Sequence, residues 1–367
     1  MNSRGTTLRL ATRGSDLALR QAATVKSALE DRRQTVELVE VETTGDQIQD
    51  ELIHRLGKTG AFVRSLDEQV LDGDLDAAVH SMKDMPTEQP DDLVVAGVPE
   101  REAAEDVLVT PDGTDLADLP EGATVGTSSL RRQAQLLAER PDLDVQPLRG
   151  NVDTRIEKLL APSLQAEHEQ RLDDEEGGFD SSDEEPVEFD QEWFDSLAEI
   201  ERRAMEREVE VEYDAIVLAR AGLERTGLIH HVEFQALPRT QFVPAPGQGA
   251  LAVTALDGDT AEMIRGRLDH PPARVATSVE RIVLDELGGG CVAPIGVNAV
   301  VQGAVVHVNV RVLSRDGSEE VSASRDLPVD RHPTAARDLA VELREQGAAD
   351  LIEQARRKEP DEAKREE

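Results

Sequence analysis

The chain of 367 residues holds a single cysteine, Cys291. One thiol excludes an internal disulfide framework and any site built from several cysteines, and no metal site is expected. Aromatic residues make up only 2% of the chain, so the stacking platforms that single-stranded nucleic acid needs are scarce. Lysine is nearly missing as well: six of the 40 cationic residues are lysines and the rest are arginines. No apolar run approaches the roughly 20 residues of a membrane span, and no cationic then apolar leader opens the chain. The expectation is a cytoplasmic protein that does not engage a membrane.

What abounds is negative charge: 76 acidic residues leave a net charge of −36, which argues against nucleic acid as a partner. The acids are spread along segments with apolar periodicity, not gathered in one tail. Such a surface stays hydrated in concentrated salt and repels itself in dilute buffer, so the pattern points to a halophilic protein. The length exceeds what one core supports, which predicts two or three domains.

Short strand-like runs alternate with amphipathic helices through the first two thirds. TLRLAT precedes a helix from Asp16 to Arg32, and TVELVEVETT precedes one through FVRSLDEQVL. LDAAVHS, LVVAGV, EDVLVT and ATVGTSS are further strand candidates. The rhythm predicts an α/β architecture on largely parallel sheets. Residues 161–210 break it: between Glu167 and Glu192 stand 13 acids and one arginine, which predicts a solvated insertion without chemistry. From Asp259 the pattern changes to a helix, three strands and a long final helix, a small α/β domain with an antiparallel sheet.

Three strand-to-helix junctions carry arginine: ATRGSDLAL with Arg13 and Ser15; VGTSSLRRQ with Thr127, Ser128, Ser129, Arg131 and Arg132; and LRGNVDTR with Arg149, Gly150 and Arg155. Free N–H groups at helix starts and forked guanidiniums favour a carboxylate or phosphate, and open α/β sheets bind ligands beyond their strand ends. In AVHSMKDMP, Lys83 adjoins Asp84. Read locally, that is either a surface ion pair or a group that stabilises a developing cation and delivers a proton. Cys291, behind three glycines in LGGGCVAPIG, has no histidine base in view, so a covalent tether suits it better than a Cys–His hydrolase.

LRLATRGSDLAL, TTGD, HSMKDMP, VGTSSLRRQAQL, LRGNVDTRIEKL, YDAIVLARAGLERTGL, PAPGQGAL and GGGCVAPIG, in this order, resemble the porphobilinogen deaminase (hydroxymethylbilane synthase) family, in an acidic, haloarchaeal-type variant. The resemblance implies two domains like type II periplasmic-binding proteins, the first discontinuous, plus a small α/β C-terminal domain. The implied boundaries are 1–99 with 239–258, then 100–238, then 259–367. It implies a monomeric transferase that condenses four porphobilinogen molecules into linear hydroxymethylbilane with loss of four ammonia, for tetrapyrrole biosynthesis including haem. A dipyrromethane cofactor joined by thioether to Cys291 would act as primer.

Asp84 matches the catalytic aspartate. Arg13, Arg131, Arg132, Arg149, Arg155 and Arg225 match arginines that hold the carboxylates. Lys83, Ser15, Asp46, Thr127, Ser128, Ser129 and Gly150 match cofactor or chain contacts, and Phe62 an aromatic near the growing chain. Two family lysines are replaced, by Thr59 and Arg55, with Lys58 displaced by one position. The rival reading is an anionic-solute binding protein without catalysis, which leaves the GGGC loop unexplained.

Overall fold

The computed structural model describes residues 6–41, 61–177, 191–288 and 293–363. The chain opens with β1 (Thr6–Thr12), α1 (Asp16–Leu29), β2 (Gln34–Glu40), α2 (Ala61–Leu71), β3 (Ala77–Ser81) and β4 (Leu93–Gly97). Ser15 caps α1 through its side chain, and Asp16 places a carboxylate at the positive helix end. The chain then crosses to a second sheet with β5 (Asp106–Val109), β6 (Thr124–Gly126), α3 (Leu130–Glu139), β7 (Asp144–Gln146) and α4 (Val152–Gly177). After α5 (Gln191–Ser196) and α6 (Glu199–Met205) come β8 (Ala215–Ala219), α7 (Arg220–Thr226) and β9 (Phe234–Ala236). The chain crosses back with β10 (Leu251–Leu256) and continues into α8 (Asp259–Leu268).

The two five-stranded sheets repeat one plan, with strand orders β2-β1-β3-β10-β4 and β7-β6-β8-β5-β9. In each, three parallel strands come first, then a strand delivered by a crossing of the chain, antiparallel to its neighbours. The expected type II periplasmic-binding-protein arrangement is therefore present. The sheets are less uniformly parallel than the alternating pattern suggested, because each double crossing inserts a reversed strand. Parallel strands end where α1 begins in the first sheet and where α3 and α4 begin in the second, and those strand ends carry the three arginine junctions.

Beyond α8 lie α9 (Pro271–Glu286), a meander of β11 (Ile295–Gln302), β12 (Val305–Leu313) and β13 (Glu320–Pro328), and then α10 (His332–Leu343) and α11 (Ala349–Ala363). The inward valines of β11 and β12 and one face each of α9 and α10 share one core. The single final helix expected there is two, because Gly347 at φ +108° breaks it.

Two expectations shift. α8, assigned by composition to the last domain, buries Ala261, Ile264 and Leu268 in the core of the first sheet. The segment from 161 is also not wholly solvated: α4 runs unbroken through Pro162 to Gly177. On its return, Leu197, Ile200 and Ala204 are buried. Arg203 and Arg207 pair there with Glu157 of α4. Trp193 stacks on His168 at 5.8 Å between ring centroids.

Candidate active site

The hydroxyls of the second junction hold the junction itself together. Ser129 caps α3 by accepting from Arg132 N, at 3.4 Å. Thr127 Oγ1 accepts from Ser129 N, at 3.2 Å. Ser128 Oγ donates to Leu148 O at 2.7 Å, tying this junction to the one after β7. Gly126 permits the close approach, since a Cβ there would stand 2.8 Å from Tyr213. At the start of α4, Gly150 has φ +114°, and a Cβ would meet Thr154 at 2.5 Å. Asn151 Oδ1 accepts from Thr154 N at 2.9 Å as the cap. Ser15 likewise accepts from Ala18 N, at 3.4 Å, next to half-buried Arg13.

Behind the second junction lies a carboxylate that motif reasoning missed. Asp106 is fully buried at the start of β5. It pairs with Arg131 at 2.7 Å and Arg132 at 2.8 Å and accepts from Gln248 Nε2 at 2.9 Å. Burial alone would raise its pKa, but the two guanidiniums together outweigh that and hold it at about 2. Burial pulls Arg131 the other way, yet a guanidinium stays charged at any ordinary pH, so the depressed Asp106 is the consequence that counts. Arg131 also donates to Val243 O at 2.8 Å and Arg132 to Val217 O at 3.0 Å. Both side chains thus spend donors on protein.

Gln248 extends this network through both crossings. Its Nε2 donates to Ala104 O at 2.6 Å, and its own carbonyl accepts from Arg101 Nε at 2.8 Å. Arg101 in turn forks onto the buried Glu280 of α9, at 2.7 and 3.1 Å. Glu280 also accepts from Gly247 N and Ala299 N, both at 2.7 Å. Gly249, at φ +81°, lies so close to the first crossing that a Cβ would stand 2.7 Å from Glu102 O. Arg225 points into the same seam, paired with Glu102 at 2.6 Å and donating to Gly249 O at 2.9 Å.

Lys83 and Asp84 occupy a single 3-10 turn, Met82–Asp84, directly after β3, and both are exposed. Met82 N donates to Ala250 O at 3.0 Å, and Gly247 backs onto the turn, a Cβ there standing 2.9 Å from Met82 Cγ and 3.2 Å from Lys83 N. Lys83 has an exposed side chain with protein surrounding it further out. That surrounding protein lowers its pKa; Arg132 and Arg155 lower it further, while Asp84 and Asp106 oppose them. The half-buried Arg155 is brought down to about 10, by burial first and then by Arg132, and so remains a cation near neutrality. It donates from Nε to Gly150 O at 2.9 Å.

The structure thus brings Lys83, next to Asp84 on one sheet, within electrostatic reach of Arg132, Arg155 and Asp106 of the other. Arg131 and Arg225 turn inward, and the hydroxyls of Ser15, Thr127, Ser128 and Ser129 serve as caps and ties. Arg149 is half-buried at the end of the second-sheet junction. Asp46 and Cys291, like Arg55, Lys58 and Thr59, lie outside the described residues; for Phe62 only the backbone, in the first turn of α2, is described. With Asp106 already matched by two arginines, the cleft edge is left cationic in a chain of charge −36. That suits a ligand rich in carboxylates.

A family model described as "Porphobilinogen deaminase, dipyromethane cofactor binding domain" matches residues 8–167 and 197–264. A second, "Porphobilinogen deaminase, C-terminal domain", matches residues 275–347. The stretch skipped between the first two, 168–196, falls inside the acidic segment. A probable porphobilinogen deaminase of Halobacterium salinarum is 56% identical over 95% of this chain and 98% of its own. One of Methanococcoides burtonii is 37% identical over 88% and 89%. The porphobilinogen deaminase of Syntrophomonas wolfei is 38% identical over 87% and 89%. Among solved structures, the methionine-binding protein MetQ is similar at TM-score 0.36 and 11% identity, over 71% of this chain and 89% of that one.

Proposed function

The chain belongs to the porphobilinogen deaminase family, and on that premise we propose that Asp84 is its catalytic aspartate and that Cys291 carries its dipyrromethane cofactor. The enzyme is a transferase, a hydroxymethylbilane synthase of tetrapyrrole biosynthesis. A halophilic character agrees with its acidic composition and its haloarchaeal relative. No helix among the described residues is long and apolar enough to cross a membrane. We divide the chain into a first domain of 1–99 with 239 to about 268, a second of 100–238, and a third of the remainder, since α8 packs on the first sheet.

The observation that supports this reading most is that Lys83, the neighbour of Asp84 in one turn, lies within electrostatic reach of Arg132, Arg155 and Asp106 of the other sheet. Porphobilinogen brings an acetate and a propionate, and the amino group of its aminomethyl substituent leaves as ammonia while the methylene stays on the ring. A carboxylate beside that carbon receives hydrogen bonds from the ammonium and pyrrole N–H groups. As the C–N bond breaks, its electron pair leaves with nitrogen, and the cation left on the pyrrole is stabilised by Asp84 at close range. The bound dipyrromethane supplies the nucleophilic pyrrole carbon at which the chain grows. The Asp84 carboxylate is placed to take up the proton released when the ring becomes aromatic again.

Lys83 and Arg155 bind substituent carboxylates and hold the reacting carbons in register, with the charge of the buried Arg132 behind them, where orientation carries much of the rate. Arg13 and Arg149 extend the cationic edge from their own junctions. The same edge fits a dipyrromethane, whose carboxylates need the cations this chain otherwise lacks. Asp84→Asn, which keeps shape and removes the charge, should retain the cofactor by intact mass and nearly abolish turnover. Ordinary turnover in that variant would reject the role.

A further inference from the structure

Helix α9 presents Arg274, Thr277, Ser278, Arg281 and Asp285 toward the back of the first sheet, at the three- and four-residue steps of one helix face. Arg274 Nη2 donates to Val95 O and Ala96 O, each at 3.1 Å, and its Nε is held by Asp269 at 2.8 Å. Two helical turns on, Arg281 Nη1 donates to Met85 O at 3.3 Å and Nη2 to Pro86 O at 2.6 Å. Between the two arginines lies a cavity of about 330 Å³, bordered by Met82, Val95, Val98 and Ile282. Close packing normally fixes one element against another. Here the gap leaves the Arg281 guanidinium as a strut between helix and turn.

The carbonyls it holds belong to the two residues that follow Asp84. Met85 N closes the turn onto Met82 O at 3.2 Å, so the carbonyl positions and the Asp84 backbone move together. The preceding residue of α9 grips the opposite side: Glu280 accepts from Gly247 N at 2.7 Å, and Gly247 backs onto Met82 and Lys83. Consecutive residues of one helix thus hold the turn from both sides. The same helix ends at Glu286, five residues before Cys291.

We propose that Arg281 is a positioning residue for the reaction: it fixes the Asp84 turn relative to the helix that leads to the cofactor cysteine. The inference rests on Asp84 being the catalytic aspartate, and the experiment separates the two. Arg281→Gln and Arg281→Lys are compared with Arg274→Gln, which loses similar carbonyl bonds remote from the turn, and with Asp84→Asn and Asp84→Glu. Each is measured as the cofactor-loaded enzyme in molar KCl for intact mass, thermal melt, kcat and KM.

Arg281→Gln should carry the normal cofactor mass and melt like Arg274→Gln. Its kcat should nevertheless fall on the order of 10- to 100-fold, the scale of a misplacement of about 1 Å, with KM changed less than about threefold. Arg281→Lys, able to reach one carbonyl, should recover part of the rate, and it decides the question should the glutamine variant not fold. In an Asp84→Glu background the Arg281→Gln loss should shrink, because both changes act through one carboxylate position. Normal kcat in both Arg281 variants beside an inactive Asp84→Asn overturns the positioning role. Equal kcat losses at Arg281 and Arg274, or strictly additive losses with Asp84→Glu, overturn it as well. An active Asp84→Asn instead removes the reading on which it rests.

Discussion

Asp106→Asn removes the carboxylate paired with both Arg131 and Arg132 and leaves both guanidiniums buried, at 5% and 6% exposure. Breaking a buried ion pair by deleting one partner costs about 3–5 kcal/mol, because the remaining charge stays desolvated. An independent handle comes from titration: a carboxyl at about 2 in the folded state, against its ordinary 3.8, contributes about 2 kcal/mol at neutral pH. The larger figure includes what the stranded arginines lose, so the two agree in scale. With roughly 2–4 °C per kcal/mol for a unit of this size, the variant should melt about 6–20 °C lower at pH 7 in molar KCl. Because the folded pKa is depressed, the Asp106 contribution is complete above about pH 4 and fades as pH falls toward 2. The gap between wild type and variant should therefore narrow by about 1 kcal/mol between pH 5 and pH 3. A loss below about 1 kcal/mol at pH 7, or a gap indifferent to pH, would refute the claim that this carboxylate compensates both arginines.

Raising KCl from about 0.1 M to molar should raise the melting temperature of the wild type, as self-repulsion among its acids is screened; a flat profile contradicts the halophilic reading. Gly249→Ala should cost well over 2 kcal/mol in denaturant midpoint, since a Cβ would add a 2.7 Å contact with Glu102 O to the left-handed strain. Gly227→Ala, at φ +77° with nothing within 4 Å, should cost about 1 kcal/mol, and equal effects would show that the close approach is unimportant. Lys83→Met should raise KM for porphobilinogen about tenfold, as one charge-assisted contact is lost. Surrounding protein and two guanidiniums depress Lys83, so the alkaline limb of activity should fall below the ordinary lysine range, and Lys83→Arg should move it upward; an unmoved limb would dissociate Lys83 from substrate binding.

Local pattern was enough to locate β1, β3 and β6 and the helices α1 and α3 that follow the first and last of these, because strand and helix periods are written into neighbouring residues. The junction arginines were legible for the same reason. Orientation was not: nothing near Arg131 or Arg225 in sequence tells that each turns inward, since their partners Asp106 and Glu102 lie 25 and 123 residues away. Asp106 reads as an ordinary strand residue, and Gln248 and Glu280 become functional only once the crossings fold together. Composition near 258 reports the solvent face of α8, whereas Ala261, Ile264 and Leu268 pack into the core of the first sheet, which is why we place the boundary beyond that helix. The acidic segment misled similarly, its few apolar residues on α6 being enough to dock on α4.

Intact mass spectrometry of the purified holoenzyme, before and after brief exposure to porphobilinogen, tests the central claim most directly. The account predicts a chain heavier than its polypeptide by one dipyrromethane, stepwise gains of one pyrrole unit less ammonia after exposure, and the bare polypeptide mass for Cys291→Ser. A wild type that binds no dipyrromethane yet turns over, or a Cys291→Ser chain that still carries it covalently, would contradict it.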